Sequence, residues 1–462
     1  MFRKNKALEN NNVKIHFVGI GGIGMSGIAE ILLASGYKVS GSDVSDSQNV
    51  KKLRSLGGEI YIGHKAENLN NVTVLVYSSA VTDSNPEVAR AKQEGIPVIR
   101  RAEMLAELMR LKYGLAVAGT HGKTTTTSFL ATILQECHLD PTYIIGGIVK
   151  NLNGHAKVGK GDFLVAEADE SDGSFLLLTP VMSIITNIDN DHMDHYGTEE
   201  NLYKSFVEFA NKVPFYGIVA LNGHDEKLMH LKEEMKRPVV TFGIDIAADF
   251  VAKNVQFGHF HTIFDLYYKN EFKIRFEINL PGRHNILNCL GAVTLAFHTG
   301  IKFDEIAKAA KKLEGVGRRF QLLFKENSFK VVDDYGHHPT EIASTLRIVK
   351  ETRADYKKIV IFEPHRFTRT RDCWDQFLHC FNDADEVYLL PIYAASEHFI
   401  DGITTERLIE DINRLHPLFA KKINNISDLG SVIDSHKNNK TIVVTLGAGS
   451  IGKAARKWAG IE

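Results

Sequence analysis

The sequence predicts an α/β protein of three domains, with boundaries near residues 112 and 322. Three observations carry this. The chain has 462 residues, and roughly 150 residues make one domain. Short apolar runs alternate with amphipathic stretches, the pattern of parallel sheets with crossover helices. Glycine-rich turns follow several of these strands, as in nucleotide-binding folds.

The first unit (1–112) reads as a parallel sheet with right-handed crossovers. Lys14 to Ile20 is an apolar run ending in glycines, an amphipathic stretch continues to Ser35, and Tyr37 to Asp43 is the next strand. The alternation repeats through Val72–Tyr77 and Pro97–Arg101. The central unit (113–322) opens with the strand Leu115–Ala118, a phosphate-loop pattern and a helix to about His138. Strands are expected at Phe163–Ala168, Val181–Ile188 and Gly217–Leu221. From Asp249 to Leu280 apolar and polar residues alternate, which predicts an antiparallel portion beside a mostly parallel sheet. Helices are expected at Ile286–Thr299 and Phe303–Leu313. The third unit (323–462) has strand signals at Lys330–Val332, Ile359–Phe362, Val387–Leu390 and Ile442–Leu446.

Composition narrows the function. Hydrophobic residues are 44% and charged residues 24%, an ordinary globular mixture that argues against a disordered, collagen-like or coiled-coil chain. Lys and Arg number 55 against 56 Asp and Glu, a net charge of −1. Such a chain is poorly suited to nucleic acid or anionic lipid through bulk charge. No apolar run approaches the roughly 18–20 residues that span a bilayer. Residues Met1 to Asn12 are polar and lack a signal-peptide core. The four cysteines, Cys137, Cys289, Cys373 and Cys380, form no CxxC pair. The expectation is a reduced, cytoplasmic protein without membrane insertion.

Three turns compete for nucleotides. Gly19-Ile20-Gly21-Gly22-Ile23-Gly24 matches GxGxxG, and Asp43 follows at the end of the next strand. The glycines let backbone N–H groups approach a pyrophosphate at a helix N-terminus. A nicotinamide cofactor or a UDP-sugar satisfies that physics equally, and glycines serving only helix–strand packing remain the bland alternative. Gly119-Thr120-His121-Gly122-Lys123-Thr124-Thr125 ends as a phosphate loop does, with a cation for the β/γ-phosphates and a hydroxyl for Mg²⁺. It is a shortened variant: two residues separate its glycines, and Val117 stands where the first glycine is usual. Strand before and helix after support ATP or GTP binding over a merely flexible turn. Gly447-Ala448-Gly449-Ser450-Ile451-Gly452 also matches GxGxxG, but no acidic residue follows at the required distance. Packing or a minor nucleotide contact fits it better than a dinucleotide site.

Polar clusters sit at strand ends, where open parallel sheets bind ligands. Glu167, Asp169, Glu170 and Asp172 follow one strand; a carboxylate there beside a phosphate loop suits Mg²⁺, and a solvated acidic loop is the alternative. Asp189-Asn190-Asp191-His192-Met193-Asp194-His195 follows another. His192 there could ligate a metal, shuttle a proton or contact phosphate. Asp333-Asp334-Tyr335-Gly336-His337-His338-Pro339 and Glu363-Pro364-His365-Arg366-Phe367-Thr368-Arg369-Thr370-Arg371 follow strands of the third unit. Pro339 fits the first turn of a helix, and the arginines offer rigid donor forks for carboxylate or phosphate.

In order along nearly the whole chain these segments resemble the Mur ligase family. The resemblance rests on GIGGIGMSGIA (19–29), GTHGKTTT (119–126), EADESDGSF (167–175), TNIDNDHMDHY (186–196), PGRHNILN (281–288), GVGRRFQ (315–321), DDYGHHPTE (333–341), EPHRFTRTR (363–371) and LGAGSIG (446–452). It implies a Rossmann-like UDP-substrate domain, a central P-loop-type ATPase domain and a Rossmann-like C-terminal domain receiving an amino acid. The first turn together with 167–175 and 333–341 points to the member that joins L-alanine to the carboxylate of UDP-N-acetylmuramate using ATP, through an acyl phosphate.

The resemblance also implies a site. Gly19, Gly21, Gly22, Gly24, Met25, Ser26, Asp43, Ser78 and Ser79 would meet the UDP-substrate. Gly119, Thr120, His121, Gly122, Lys123, Thr124 and Thr125 would cradle ATP, with Asn285, Arg318, Arg319 and Asp334 from the other side. Thr124 and Glu167 would hold one Mg²⁺ and His192 a second. His337, His338, His365, Arg366 and Arg369 would line the amino-acid cleft, the last three orienting alanine or the acyl phosphate. Closure of the domains around their substrates is expected. Several related ligases carry a carbamylated lysine; Lys204 is the nearest candidate here and is not assigned. Within the family the rival is a recycling ligase that attaches a peptide to the same UDP-sugar. Outside it stand an NAD-dependent oxidoreductase, which leaves Lys123 unexplained, and a non-catalytic UDP-muramate and ATP sensor.

Overall fold

The first sheet shows how the opening glycine turn is placed. Strands β1 (Lys14–Val18), β2 (Lys38–Asp43), β3 (Glu59–Ile62), β4 (Val74–Tyr77) and β5 (Val98–Arg100) are all parallel, in the order β3-β2-β1-β4-β5. The order reverses between β1 and β4, and ligands of such sheets bind at that switch. Gly19 leaves β1 and Ser78 leaves β4 at this crevice, so close that a Cβ on Gly19 would stand 3.1 Å from the Ser78 hydroxyl. In the computed structural model the described residues are 13–78, 80–149, 152, 154–258, 261–315, 317–395, 397–417, 419–437 and 440–461.

The second sheet has ten strands. They are β6 (Tyr113–Ala118), β7 (Thr142–Val149), β8 (Gly154–Lys157), β9 (Phe163–Glu167), β10 (Met182–Ile185), β11 (Ile218–Asn222), β12 (Val239–Ile244), β13 (Phe250–Phe257), β14 (Thr262–Tyr268) and β15 (Glu271–Ile278). Their order is β15-β14-β13-β12-β11-β10-β6-β9-β7-β8. Strands β7, β9, β6, β10, β11, β12 and β13 run parallel, and β8 closes one edge antiparallel to β7. The alternating segment 249–280 therefore begins with a parallel strand, β13. The hairpin character lies further on, where Lys269 and Asn270 join β14 to β15 with both φ positive (51° and 66°), the backbone of a tight two-residue hairpin.

The strand expected over 181–188 ends at Ile185. Thr186 and Asn187 turn their polar groups to the neighbouring phosphate loop instead of a strand partner. Aromatic packing closes the layer beneath: Phe175 stacks on Phe209 at 5.0 Å and meets Phe206 edge-on at 5.4 Å.

The third sheet orders β16 (Gln321–Glu326), β17 (Phe329–Asp334), β18 (Lys357–Phe362), β19 (Glu386–Leu389), β20 (Ala420–Lys422) and β21 (Thr441–Leu446) as β16-β17-β21-β18-β19-β20. Only β16 is antiparallel to its neighbour. Pro339 does open a helix, Pro339–Thr352, in its first turn.

Two compact units emerge. The first comprises Met1–Val255, Ile263–Ile278 and Asn285–Glu314; the second comprises Gln256–Thr262, Asn279–His284 and Gly315–Glu462. Segment Asn279–His284 packs into the second unit through Gly282, whose φ is 98° and where a Cβ would meet Ile348 at 2.8 Å. Among the described residues no helix is long and apolar enough to cross a membrane.

Candidate active site

In the first unit the opening turn is held by its own side chains. The Gly21 N–H donates to Asp43 Oδ2 at 2.8 Å, and Asn49 Nδ2 donates to the Gly21 carbonyl at 2.9 Å. A Cβ on Gly21 would stand 2.9 Å from that carboxylate and 3.0 Å from Ser47 Oγ, so a larger residue would displace both side chains. Asp43 thus braces the loop. Met25 lies in the core, and Ser26 is fully buried, its Oγ 3.1 Å from His155 Nε2. Ser79 lies outside the described residues. Beside the turn is a cleft of about 390 Å³ lined by Tyr77, Arg100, Arg101, Asp172 and Ser174. Arg101 lies along Gly24, where a Cβ would be 3.2 Å from its guanidinium, and reaches Asp169 at 3.4 Å.

The second turn forms the densest cluster. Gly119 (φ 123°) and Gly122 (φ 84°) bend the chain from β6 into the helix Lys123–Glu136. The loop is pinned to the residues after β10. Thr186 Oγ1 donates to the His121 carbonyl at 2.6 Å, and the His121 N–H donates to Asn187 Oδ1 at 2.8 Å. Thr120 accepts from the Asp189 N–H at 2.9 Å, and His121 Nε2 lies 3.2 Å from Asp189 Oδ2.

Lys123 Nζ donates to the carbonyls of Gly119 (2.7 Å) and Thr120 (3.1 Å) and meets both Glu170 oxygens, at 2.8 and 2.7 Å. Burial pulls its pKa down, but Glu170, Asp169 and Glu167 outweigh that and hold it above the usual lysine value. Thr124 Oγ1 donates to Glu167 Oε2 at 3.2 Å, and the Gly146 N–H donates to Glu167 Oε1 at 2.5 Å. Burial raises the pKa of Glu167 and of Glu170, in each case against the pull of Lys123. His192, with φ 60°, places Nε2 3.9 Å from Glu170 and 3.7 Å from Asp191.

The ends of β6, β9 and β10 thus gather Lys123, Thr124, Glu167 and His192. Glu170 was visible in sequence as one of four neighbouring acids, but nothing in the spacing marked it as the lysine's partner. Asn288 was not anticipated. It accepts from Thr126 Oγ1 at 3.2 Å, and a Cβ on Gly122 would stand 2.7 Å from its Oδ1. Asn285 is buried one turn earlier on the same helix, Arg283–His298. Lys204 is well exposed and paired with Glu200 one turn away.

The second unit builds its own cluster. Arg318 and Arg319 stack over Tyr335, at 4.8 and 5.2 Å from the ring centre. Arg318 approaches Asp333 at 3.4 Å and donates to the Gly447 carbonyl at 2.5 Å; Arg319 reaches Glu341 at 3.3 Å. Asp334 accepts the N–H groups of Phe320 and Gly336, each at 2.7 Å. Burial raises its pKa to about 6 against the pull of Arg319.

His337 meets His365 edge-on at 5.8 Å, His365 stacks on Tyr393 at 5.6 Å, and Arg369 reaches His365 Nδ1 at 3.5 Å. Burial first, then the nearby arginines, lower the pKa of both histidines to about 4, so they are neutral at pH 7. Arg366 (φ 72°) precedes the helix Phe367–Asp372 and donates its N–H to the Tyr393 carbonyl at 2.8 Å. His338 is used differently. It caps the helix Pro339–Thr352 by accepting the Thr340 N–H at 3.4 Å, and its Nε2 is 3.5 Å from Cys373 Sγ.

The third glycine turn already has an anion. Glu363 accepts Ser450 Oγ at 2.5 Å and the Ile451 N–H at 3.0 Å, at the N-terminus of the helix Ile451–Trp458. A Cβ on Gly449 would stand 2.6 Å from this carboxylate. A protein carboxylate therefore takes the place a phosphate takes in a nucleotide turn, which favours the packing reading.

Comparison with known proteins agrees along the chain. Residues 14–113 match the family description "Mur ligase family, catalytic domain", residues 117–296 "Mur ligase middle domain", and residues 318–449 "Mur ligase, glutamate ligase domain". The UDP-N-acetylmuramate–L-alanine ligase of Trichlorobacter lovleyi is 49% identical over 97% of this chain and 98% of its own. That of Geobacter sulfurreducens is 48% identical over 96% of each. The crystal structure of the UDP-N-acetylmuramate–alanine ligase of Thermotoga maritima is similar at a TM-score of 0.81 and 30% identity, covering 97% and 98% of the two chains. A murein peptide ligase of Psychrobacter arcticus shares the fold at a TM-score of 0.70 and 22% identity, covering 97% and 98%. With its three domains matched in order and near-full-length relatives at almost half identity, this chain belongs to the Mur ligase family.

Proposed function

We propose that this protein is an ATP-dependent ligase that joins L-alanine to the lactyl carboxylate of UDP-N-acetylmuramate, an amide-forming step of cytoplasmic peptidoglycan precursor synthesis. The observation that carries this is the convergence of Lys123, Thr124, Glu167 and His192 at the ends of adjacent parallel strands. Near-full-length relatives bearing that activity in their names support the choice of substrates. Residues 1–112 serve the UDP-substrate, 113–322 ATP, and 323–462 the amino acid.

The chemistry follows from the reactants. A carboxylate resists an amine because oxide would have to leave. Transfer of the γ-phosphoryl group to the carboxylate oxygen gives an acyl phosphate and ADP. The amine, having lost a proton, attacks the acyl carbon, and the tetrahedral adduct expels inorganic phosphate. Lys123 and the N–H groups of 119–125 orient the phosphates and offset the repulsion between two anionic reactants. Thr124 and Glu167 suit a hard cation: they are oxygen donors, and Glu167 is hydrogen-bonded by a hydroxyl and a backbone N–H. We assign one Mg²⁺ to them and a second to His192; these ions would neutralise charge developing on the transferring group. Asn285 and Asn288 back the loop.

In the second unit Arg318, Arg319 and Asp334 are assigned to the nucleotide. His337, His365, Arg366 and Arg369 are assigned to the amino acid, with His338 fixing the helix behind them. Neutral His337 and His365 offer ring nitrogens that can hydrogen-bond an ammonium, while the arginines orient a carboxylate. The turn at Gly19–Gly24, with Ser78 and the adjoining cleft, is assigned to the UDP-substrate.

The test is release of ADP and phosphate from Mg²⁺-ATP with UDP-N-acetylmuramate, with L-alanine, a dipeptide or a tripeptide as acceptor. One amide per ATP, dependent on L-alanine, is the expected result. Release only with a peptide would make this the recycling activity, and no release with any acceptor would refute the ligase assignment.

A further inference from the structure

Glu170 is the side chain nearest Lys123 that the reaction above does not use. It is 1% exposed and follows β9 by three residues. Its two oxygens clasp the Lys123 ammonium at 2.8 and 2.7 Å. Its backbone is fixed as well: Tyr196 Oη donates to the Glu170 carbonyl at 2.5 Å, and the Gly173 N–H donates to the same carbonyl at 3.0 Å. The remaining acceptors of the ammonium are the carbonyls of Gly119 and Thr120. An ammonium has three donors, and those contacts engage all of them.

Any phosphate that binds Lys123 must therefore replace one of these acceptors. The two carbonyls are neutral groups of the loop itself. Glu170 is the acceptor that carries a charge of the same sign as the incoming phosphate.

We propose that Glu170 is a positioning residue that sets nucleotide affinity: it holds Lys123 over the loop and competes with the nucleotide phosphates for its ammonium. This rests on the assignment of Lys123 to those phosphates. The competition has a use. A ligase must release ADP each cycle, and a resident carboxylate that reclaims the lysine weakens the product complex without removing the lysine from the site.

The experiment is calorimetric titration of the full chain with ADP in EDTA, which keeps divalent metal out of the comparison. Glu170→Gln keeps the shape and one acceptor but removes the competing charge. Loss of one charge-assisted contact predicts ADP binding tighter on the order of tenfold. The tightening is expected to vanish in a Lys123→Met background, because there is no ammonium left to release. In turnover the same variant is expected to lower KM for ATP while ADP release slows.

Glu170→Asp, which retains the charge at a greater reach, serves if the glutamine variant does not fold, with a smaller shift in the same direction. Unchanged or weaker ADP binding in a folded Glu170 variant overturns the proposal. If Lys123→Met alone leaves ADP binding intact, the lysine assignment itself is what fails.

Discussion

Gly119→Ala probes the narrowest point of the phosphate loop. A Cβ there would stand 2.1 Å from Thr186 Oγ1, 2.9 Å from the Thr186 nitrogen and 3.0 Å from the Asn187 nitrogen. The first contact is relieved if Thr186 rotates, at the loss of its bonds to the carbonyls of Ala118 (3.2 Å) and His121 (2.6 Å), about 0.5–1.5 kcal/mol each. The two backbone contacts stay, so the chain must shift, and overpacking of this kind costs about 1–3 kcal/mol. Alanine at φ 123° adds strain of about 1–3 kcal/mol. The sum is about 3–9 kcal/mol. It should appear as a melting transition lowered on the order of 10 °C, or as a loop displaced from its ligand position. Scanning calorimetry and ADP titration together read both. Adding Thr186→Ala should recover only a minor part, because the backbone contacts persist. A Gly119→Ala protein with unchanged melting and unchanged ADP affinity would refute the steric argument.

Further expectations concern pH and the second unit. Burial lowers the pKa of His284, His337 and His365 to about 4, against about 6.5 when unfolded. The unfolded chain then binds more protons between those values, so their contribution is present above about pH 6.5 and is lost as pH falls toward 4. The slope is on the order of 1 kcal/mol per pH unit for each. Asp334, raised to about 6 by burial, opposes this with the reverse sign over about pH 4–6. Urea midpoints between pH 4.5 and 7 should therefore flatten measurably in His337→Asn, and an unaltered profile would contradict the burial argument. Glu363→Gln should lower the melting of the second unit by the equivalent of about 1–2 kcal/mol, through loss of a charge at a helix N-terminus; no shift would count against its role as resident anion. Lys204→Ala should leave kcat for phosphate release unchanged, and a large loss would point to a role its exposed position does not suggest.

Much of the architecture was legible because backbone chemistry leaves local marks. Glycines after apolar runs located all three turns, and Pro339 marked a helix start that the structure has. The rest depended on contacts distant in sequence. Asn288 touches Gly122 across more than 160 residues, and no spacing rule announces such a pair. The turns at 19–24 and 447–452 share a pattern, yet only coordinates reveal that Glu363 fills the second. The hairpin β7–β8 carries no strand signal because its glycines and polar residues resemble a loop; pairing of β7 with β9 fixes it as sheet. The strand ends at Ile185, short of the apolar pattern's end at Ile188, because Thr186 and Asn187 serve the loop beside them.

The strand order of the third sheet bears on how the chain is made. Strand β21 lies between β17 and β18, yet it is synthesised about 80 residues after β18 ends. At roughly 5–20 residues per second, the nascent second unit waits about 4–16 s as two separate half-sheets. Through that interval β17 and β18 each present a bare edge of unpaired backbone groups, the template for intermolecular pairing. Aggregation during synthesis should therefore concentrate in the window before residues 441–446 emerge, and a ribosome stalled there should hold its chain in a state that chaperones bind and the finished protein does not.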